Sequence, residues 1–217
     1  MISFTEENYL KAIYHLSQGG TRTVMTNELA EAMQTKAASV TDMIKKLSAK
    51  SLIQYERYYG VQITPEGKQQ ALQIVRKHRL WETFLVEKLG FAWDEVHAVA
   101  EQLEHIQSPQ LINKLDAFLG YPKADPHGDP IPDQHGKVKA QPLIGLDQVA
   151  IGKKATIATV RDSDTELLKF LDKIGARPGK VIQVVRREAF DKSMEVMIDK
   201  KKFFISLDVS RNILLSV

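Results

Sequence analysis

Two stretches of the chain gather side chains that could hold a cation. In the segment 94–107, His97, Glu101, Glu104 and His105 share one stripe. At about 100° per residue, Glu101, Glu104 and His105 converge on one side of a helix. In the segment before it, His78 and Glu82 stand four residues apart and share a helical face. Carboxylates and imidazoles this close repel or strain one another unless a cation joins them. The chain contains no cysteine, which excludes disulfides, thiolate zinc centres and cysteine nucleophiles. Donors are therefore oxygen and imidazole, a set that suits manganese or ferrous iron better than copper and leaves zinc open. Taken singly, Glu82 or His97 reads as an ordinary surface residue.

The pattern Glu101-x-x-Glu104-His105 is also similar to the His-x-x-Glu-His of inverted zinc peptidases. Glutamate stands here in place of the first histidine, and no nucleophile or oxyanion motif accompanies it. A metal-dependent hydrolase stays an alternative; the expectation is that the chain is not an enzyme.

A different chemistry is written between residues 26 and 60. Helix, short break, helix and hairpin in that order predict a winged helix-turn-helix. In the helix 37–49, Val40, Ile44 and Leu47 point inward, and Lys36, Ala38, Ser39, Thr41, Asp42, Lys45 and Lys46 make up the remaining face. Small hydroxyl side chains near such a helix start reach base edges or phosphates, and the lysines neutralise backbone charge. Arg57, in the hairpin tip Glu56-Arg57-Tyr58-Tyr59-Gly60, is the expected wing contact with double-stranded DNA.

The elements that must position these groups follow from periodicity. A helix is expected over 5–17, capped by Thr5, with Tyr9, Leu10, Ile13, Tyr14 and Leu16 on its apolar face. A second opens at Thr26. Two short strands flank Tyr58-Tyr59-Gly60. Thr64 and Pro65 then open a long helix reaching about residue 88, followed by helices over 94–107 and 109–119. Residues 120–142, rich in Pro, Gly, Asp and His, read as an extended, partly ordered linker. Beyond them, strand-like runs at 155–160, 181–185, 194–198 and 203–205, interrupted by a helix at 165–174, predict a small barrel.

The balance of 30 Lys and Arg against 27 Asp and Glu over 217 residues gives a net charge of +3, compatible with nucleic-acid binding and too small to argue for it. No stretch approaches the ~18 apolar residues of a membrane span. The first residues show no basic region followed by an apolar run, so a cytoplasmic protein without membrane partners is expected.

Four separated stretches occur in a telling order: Thr5-Glu6-Glu7-Asn8-Tyr9-Leu10, Lys77-His78-Arg79-Leu80-Trp81-Glu82, Glu101-x-x-Glu104-His105, and Asp125-Pro126-His127-Gly128-x-Pro130-Ile131-Pro132. Together they make the chain resemble the diphtheria-toxin-repressor family over nearly its whole length, in particular its manganese- and iron-responsive members. The resemblance implies an α+β protein in three parts. These are a winged helix-turn-helix domain at 1–73, a helical metal-binding and dimerisation domain with linker at 74–141, and an SH3-like small β-barrel at 142–217.

It further implies a metal-activated repressor of metal-uptake genes that binds a palindromic operator as a homodimer, with Trp81, Phe84, Leu85, Leu89 and Phe91 in the dimer seam. A metal-independent winged-helix regulator with a structural ion is the other regulatory reading. The family's primary metal site maps to Asn8, His78, Glu101, Glu104 and His105, with His97 as a further candidate. Relatives carry Met or Asp where this chain has Asn8, and manganese-selective ones a further carboxylate where it has Lys11. Glu101, where iron-responsive relatives often have Cys, leans toward manganese, with ferrous iron second. A second site maps to Glu82, Asp125, His127 and Asp162, with Asp164 and Glu166 as competitors for the last place.

Overall fold

The structure, a computed structural model, describes residues 2–139, 142–161 and 164–216. It divides into two compact units. One comprises Met1–His78, Leu103–Gln107 and Pro132–Val138; the other comprises Arg79–Gln102, Ser108–Ile131 and Lys139–Val217.

The first unit begins with helix α1 (Phe4–Leu16), whose cap is Ser3 instead of Thr5. Ser3 Oγ accepts from the Glu6 amide while the Glu6 carboxylate accepts from the Ser3 amide, and this reciprocal pair fixes the start one residue earlier than periodicity alone suggests. Helices α2 (Thr26–Ala32) and α3 (Ala37–Ala49) follow, then strands β1 (Ile53–Glu56) and β2 (Gly60–Ile63), paired antiparallel with Tyr55 opposite Val61. Val24 bridges to Val61 on the other side. Leu10, Ile13, Leu29, Val40, Ile44, Leu47, Leu52 and Val61 form one buried core. Burying the i, i+4, i+7 stripe of α3 is what turns its other face outward.

Thr64 opens α4 (Pro65–Leu89) as expected: its hydroxyl accepts from the Gly67 amide and donates toward the Leu52 carbonyl. A side chain at Gly67 would meet the Leu52 carbonyl oxygen at 1.9 Å, so only glycine lets the hairpin lie this close to the helix. Residues 132–135 are strapped to α4 in the same unit, Arg76 donating to Pro132 O at 2.8 Å and Gln73 to Gln134 O at 2.9 Å. Part of the expected linker is thus held in place by backbone carbonyls.

In the second unit, α5 (Val96–Leu103) and α6 (Pro109–Phe118) precede an antiparallel sheet of six strands: β3 (Leu143–Gly145), β4 (Lys154–Val160), β5 (Val181–Arg187), β6 (Met194–Ile198), β7 (Lys201–Ile205) and β8 (Ile213–Ser216). Their order is β3-β8-β4-β5-β6-β7. Helix α7 (Thr165–Ile174) packs Leu168 and Leu171 into the sheet's core, and a short α8 (Leu207–Asn212) leads into β8. This is the α+β, SH3-like arrangement expected, with β3, α8 and β8 added to the strands legible in the sequence.

Helix α5 is shorter at both ends than the expected 94–107. Trp93 is drawn into the same core as Leu168, Ile182 and Val196, which ties the chain into a turn just before the helix. Trp81 and Leu85 are buried within the chain itself and are not free to form a seam, whereas Leu89, Phe91, Leu111 and Phe118 expose apolar surface. No helix among the described residues is long and apolar enough to cross a membrane.

Candidate metal centres and nucleic-acid surface

In the second unit Glu82, Asp125 and His127 come together: their ligand atoms lie within 4.8 Å of one another, and all three residues are buried. Glu82 enters from α4. Asp125 and His127 enter from a tight loop closed by the bridge between Ala124 and Pro130. Within it Asp125 Oδ1 accepts from the amides of His127 and Asp129 at 2.8 and 3.0 Å, the Asx-type turn that the Asp-Pro-His-Gly sequence favours. Arg79 steadies the loop, donating to Pro130 O at 2.6 Å and to Asp129 at 3.1 Å.

The His127 ring stacks on Trp93, and its Nε2 faces the Trp93 carbonyl at 2.8 Å. A carbonyl only accepts, so Nε2 carries the proton. Nδ1 is left facing Glu82 at 3.7 Å and Asp125 at 3.8 Å. A backbone carbonyl fixing the tautomer from behind is how proteins aim a ligating imidazole.

Burial, followed by the charges of Glu82 and Asp129, pushes the Asp125 carboxyl up to about 7 against the pull of Arg79 and His127. Burial works against a charged His127, but the nearby Glu82 carboxylate, followed by the charge of Asp125, outweighs it and raises the imidazole to about 9. Both groups therefore hold protons more tightly folded than unfolded, where their ordinary values are 3.8 and 6.5. The sign follows from linkage: stability conferred by a raised pKa is complete below the unfolded value and is lost as pH rises through the folded one. The metal-free protein is expected to lose about 5 °C in melting temperature between pH 6 and 9. A saturating divalent cation, if held by the same groups, would take over the role of those protons and flatten the trend. Thermal melts with chelator and with manganese across that range check this; a metal-free melting temperature that rises with pH contradicts it.

In the first unit the sequence-derived donors are arranged differently. His78 Nδ1 lies 2.6 Å from Glu104 Oε2, and Glu104 is fully buried. Burial works against its ionisation, yet the His78 hydrogen bond and the Lys11 charge hold its pKa below the ordinary carboxylate value. His105 Nδ1 lies 2.5 Å from Glu7 Oε2, and Phe4 stacks on the ring. Asn8 Oδ1 is buried and has no hydrogen-bond partner among the described residues. An orphaned buried oxygen costs free energy unless a ligand completes it, and the set of amide oxygen, carboxylate and imidazoles suits a divalent cation.

Glu104 and His105 lie just past the end of α5, so they do not continue the stripe of Glu101. No trio of donors containing Glu104 or His105 is as tight as Glu82, Asp125 and His127 among the described residues. In the second unit His97 is half exposed and sits between Glu82 at 3.5 Å and Glu101 at 3.6 Å.

Asp162 lies outside the described residues. Asp164 caps α7, accepting from the amides of Glu166 and Leu167, and the exposed Glu166 pairs with Lys169. Glu7 is the participant that sequence reading missed. The signal was available: Glu6 and Glu7 stand four and three residues before Leu10, on or beside the buried stripe of α1, where a carboxylate needs partners. Glu6 finds Lys50 at 2.7 Å; Glu7 finds His105, Gln107 at 2.6 Å and Lys77 at 3.6 Å.

On the nucleic-acid side, Lys36 at the cap of α3 and Ala38, Ser39, Asp42, Lys45 and Lys46 along it are exposed, with Thr41 half-buried. Thr41 Oγ1 is turned back to the Ala37 carbonyl at 2.9 Å, and Asp42 pairs with Lys45 at 3.6 Å. Arg57 is exposed at the wing tip with its guanidinium 5.0 Å over the Tyr58 ring; Tyr58 itself has a φ of 72°.

Comparisons with known proteins match the chain in three consecutive pieces. Residues 1–61 match the iron dependent repressor N-terminal DNA binding domain, 64–133 the iron dependent repressor metal binding and dimerisation domain, and 144–217 the FeoA domain. A solved manganese-dependent transcriptional repressor in complex with manganese is 35% identical with a TM-score of 0.88, covering 97% of this chain and 99% of that one. ScaR with bound Cd2+ is 31% identical with a TM-score of 0.81, covering 97% and 98%. The iron-dependent repressor IdeR of Mycobacterium leprae (strain TN) is 33% identical over 128 residues, 59% of this chain; the chain spans 55% of that relative, about half its length.

Proposed function

Since the chain belongs to the diphtheria-toxin-repressor family of iron-dependent repressors, we propose that it is a transcriptional repressor whose grip on operator DNA is switched on by a divalent metal ion. The observation that carries this reading is the double role of α1. Leu10 and Ile13 pack its inner face into the core that also holds α3, while Asn8 on the same helix offers a buried oxygen without a partner among the described residues.

Asn8, His78, Glu104 and His105 would hold the activating ion. Glu82, Asp125 and His127, joined by Asp162, would hold a second. The ion supplies charge neutralisation and cross-linking, not bond-making chemistry. Asn8, in ligating it, would tie α1 to the segment after α5 and to α4, fixing the helix against which α3 packs. A ligand shifts such an equilibrium only by binding the DNA-competent arrangement more tightly than the other. Two copies related by a two-fold axis would set two α3 helices on a palindromic site, with Ser39 and Thr41 near the bases and Lys36, Lys45, Lys46 and Arg57 on phosphates. Manganese is the favoured ion because carboxylate oxygen outweighs imidazole in the combined set, with ferrous iron second and zinc able to bind in vitro. The regulated genes would be those of metal uptake, and the role is regulatory, not catalytic.

The test is fluorescence anisotropy on a duplex selected from a random pool with manganese present. Chelator-treated protein should bind it about a hundredfold more weakly than protein with manganese or ferrous iron. Equal affinity with and without metal rejects the switch and favours a winged-helix regulator with a structural ion.

A further inference from the structure

Lys11 already brings a cation to the carboxylate that the proposed ion needs. Its Nζ lies 2.8 and 2.7 Å from the two oxygens of Glu104, and its side chain is 13% exposed against 0% for Glu104. His78 Nδ1 takes Oε2 of the same carboxylate at 2.6 Å. Glu104 is thus engaged at both oxygens by groups of this chain. Three residues before Lys11, and so on the same side of α1, Asn8 keeps a buried oxygen for which the described residues supply no donor. Lys77, the neighbouring buried cation, is committed to Glu7 at 3.6 Å.

A divalent ion drawing on Asn8 and Glu104 together must therefore displace the Lys11 ammonium from at least one Glu104 oxygen. Lysine suits this exchange. Its charge is a compact point on a flexible stem, without the fixed fork that locks arginine onto a carboxylate. We propose that Lys11 is a tethered counter-ion that holds the Glu104 side chain in place until metal arrives, then gives way to it. Because the ion must outcompete a cation held within the site, Lys11 raises the metal concentration at which the protein responds. The proposal rests on the reading of Glu104 as a metal ligand.

The experiment follows manganese binding to the full chain by electron paramagnetic resonance of the free ion. The ion lost in Glu104→Gln identifies this site. Lys11→Met should bind that ion roughly tenfold more tightly, the effect of removing one nearby competing charge, and Lys11→Arg no more tightly than wild type. Unchanged or weaker binding by a folded Lys11→Met protein overturns the proposal. Amine acetylation read by mass spectrometry tests the wild type directly, whatever the variant's stability. Labelling of Lys11 should rise several-fold on saturation with manganese, and an unchanged rate overturns the proposal. If Glu104→Gln loses no ion, Glu104 is not a ligand, and the underlying reading fails with the inference; if the ion is lost but Lys11 neither weakens its binding nor is released, only the inference fails.

Discussion

Replacing His105 with alanine is expected to abolish the metal-dependent part of DNA binding, a loss of about a hundredfold in affinity with manganese present, while the metal-free protein binds as weakly as before. The Glu7 carboxylate, 2.5 Å from Nδ1, holds the imidazole from one side, so Nε2 would be the nitrogen offered to an ion. A carboxylate behind a histidine also raises its basicity as a ligand. Removing the ring deletes a donor and leaves the buried Glu7 with Gln107 and Lys77 as its remaining side-chain contacts among the described residues. Anisotropy on the selected duplex, with and without manganese, gives the result directly, and a thermal melt shows whether the fold survives. Undiminished metal-dependent binding in a folded variant would remove His105 from the switch.

Gly128→Ala should have the second large effect, destabilising the second unit by about 3 kcal/mol or more and lowering its affinity for metal. Gly128 has a φ of 90°, and a Cβ there would stand 1.9 Å from the Ala158 carbonyl oxygen of β4 and 2.8 Å from Thr159 Cα. Both the backbone conformation and the space demand glycine. The loop cannot retreat without giving up its anchors: Val160 N donates to His127 O at 3.1 Å, and Thr159 Oγ1 donates to Asp129 at 2.9 Å. These contacts set Asp125 and His127 opposite Glu82, so a shift of the loop moves two donors at once. Calorimetric unfolding and manganese titration of the variant check the expectation. A melting temperature and manganese affinity equal to wild type would mean the loop adapts and that its fit to β4 does not position the donors.

These two substitutions reach the proposed ions by different routes. His105→Ala removes a donor and leaves the backbone alone, whereas Gly128→Ala keeps every donor side chain and spoils the backbone that aims them. If both ions matter to the response, both variants weaken DNA binding, but Gly128→Ala does so with the larger fall in melting temperature.

What the chain determined by itself is what local pattern can carry. Val40, Ile44 and Leu47 lie at helical spacing because α3 buries one stripe, so its outward face could be read without coordinates. Thr64-Pro65 marks the start of α4 because a hydroxyl cap and a fixed φ act within one turn. The strands β4, β5, β6 and β7 announce themselves by runs of β-branched and apolar residues. Tertiary structure decided which distant groups meet. Lys11 reaches Glu104 across 93 positions and His105 reaches Glu7 across 98, and no periodicity encodes such pairings. The limits of α5 were set in the same way, by Trp93 sinking into the sheet's core before the helix and by the full burial of Glu104 beyond it. A repeat in sequence reports which face of an element is apolar; it does not report what that face will meet. The charge of Glu104 is settled by its partners, because burial alone would favour the neutral acid and only a lysine and an imidazole brought in by the fold keep it ionised.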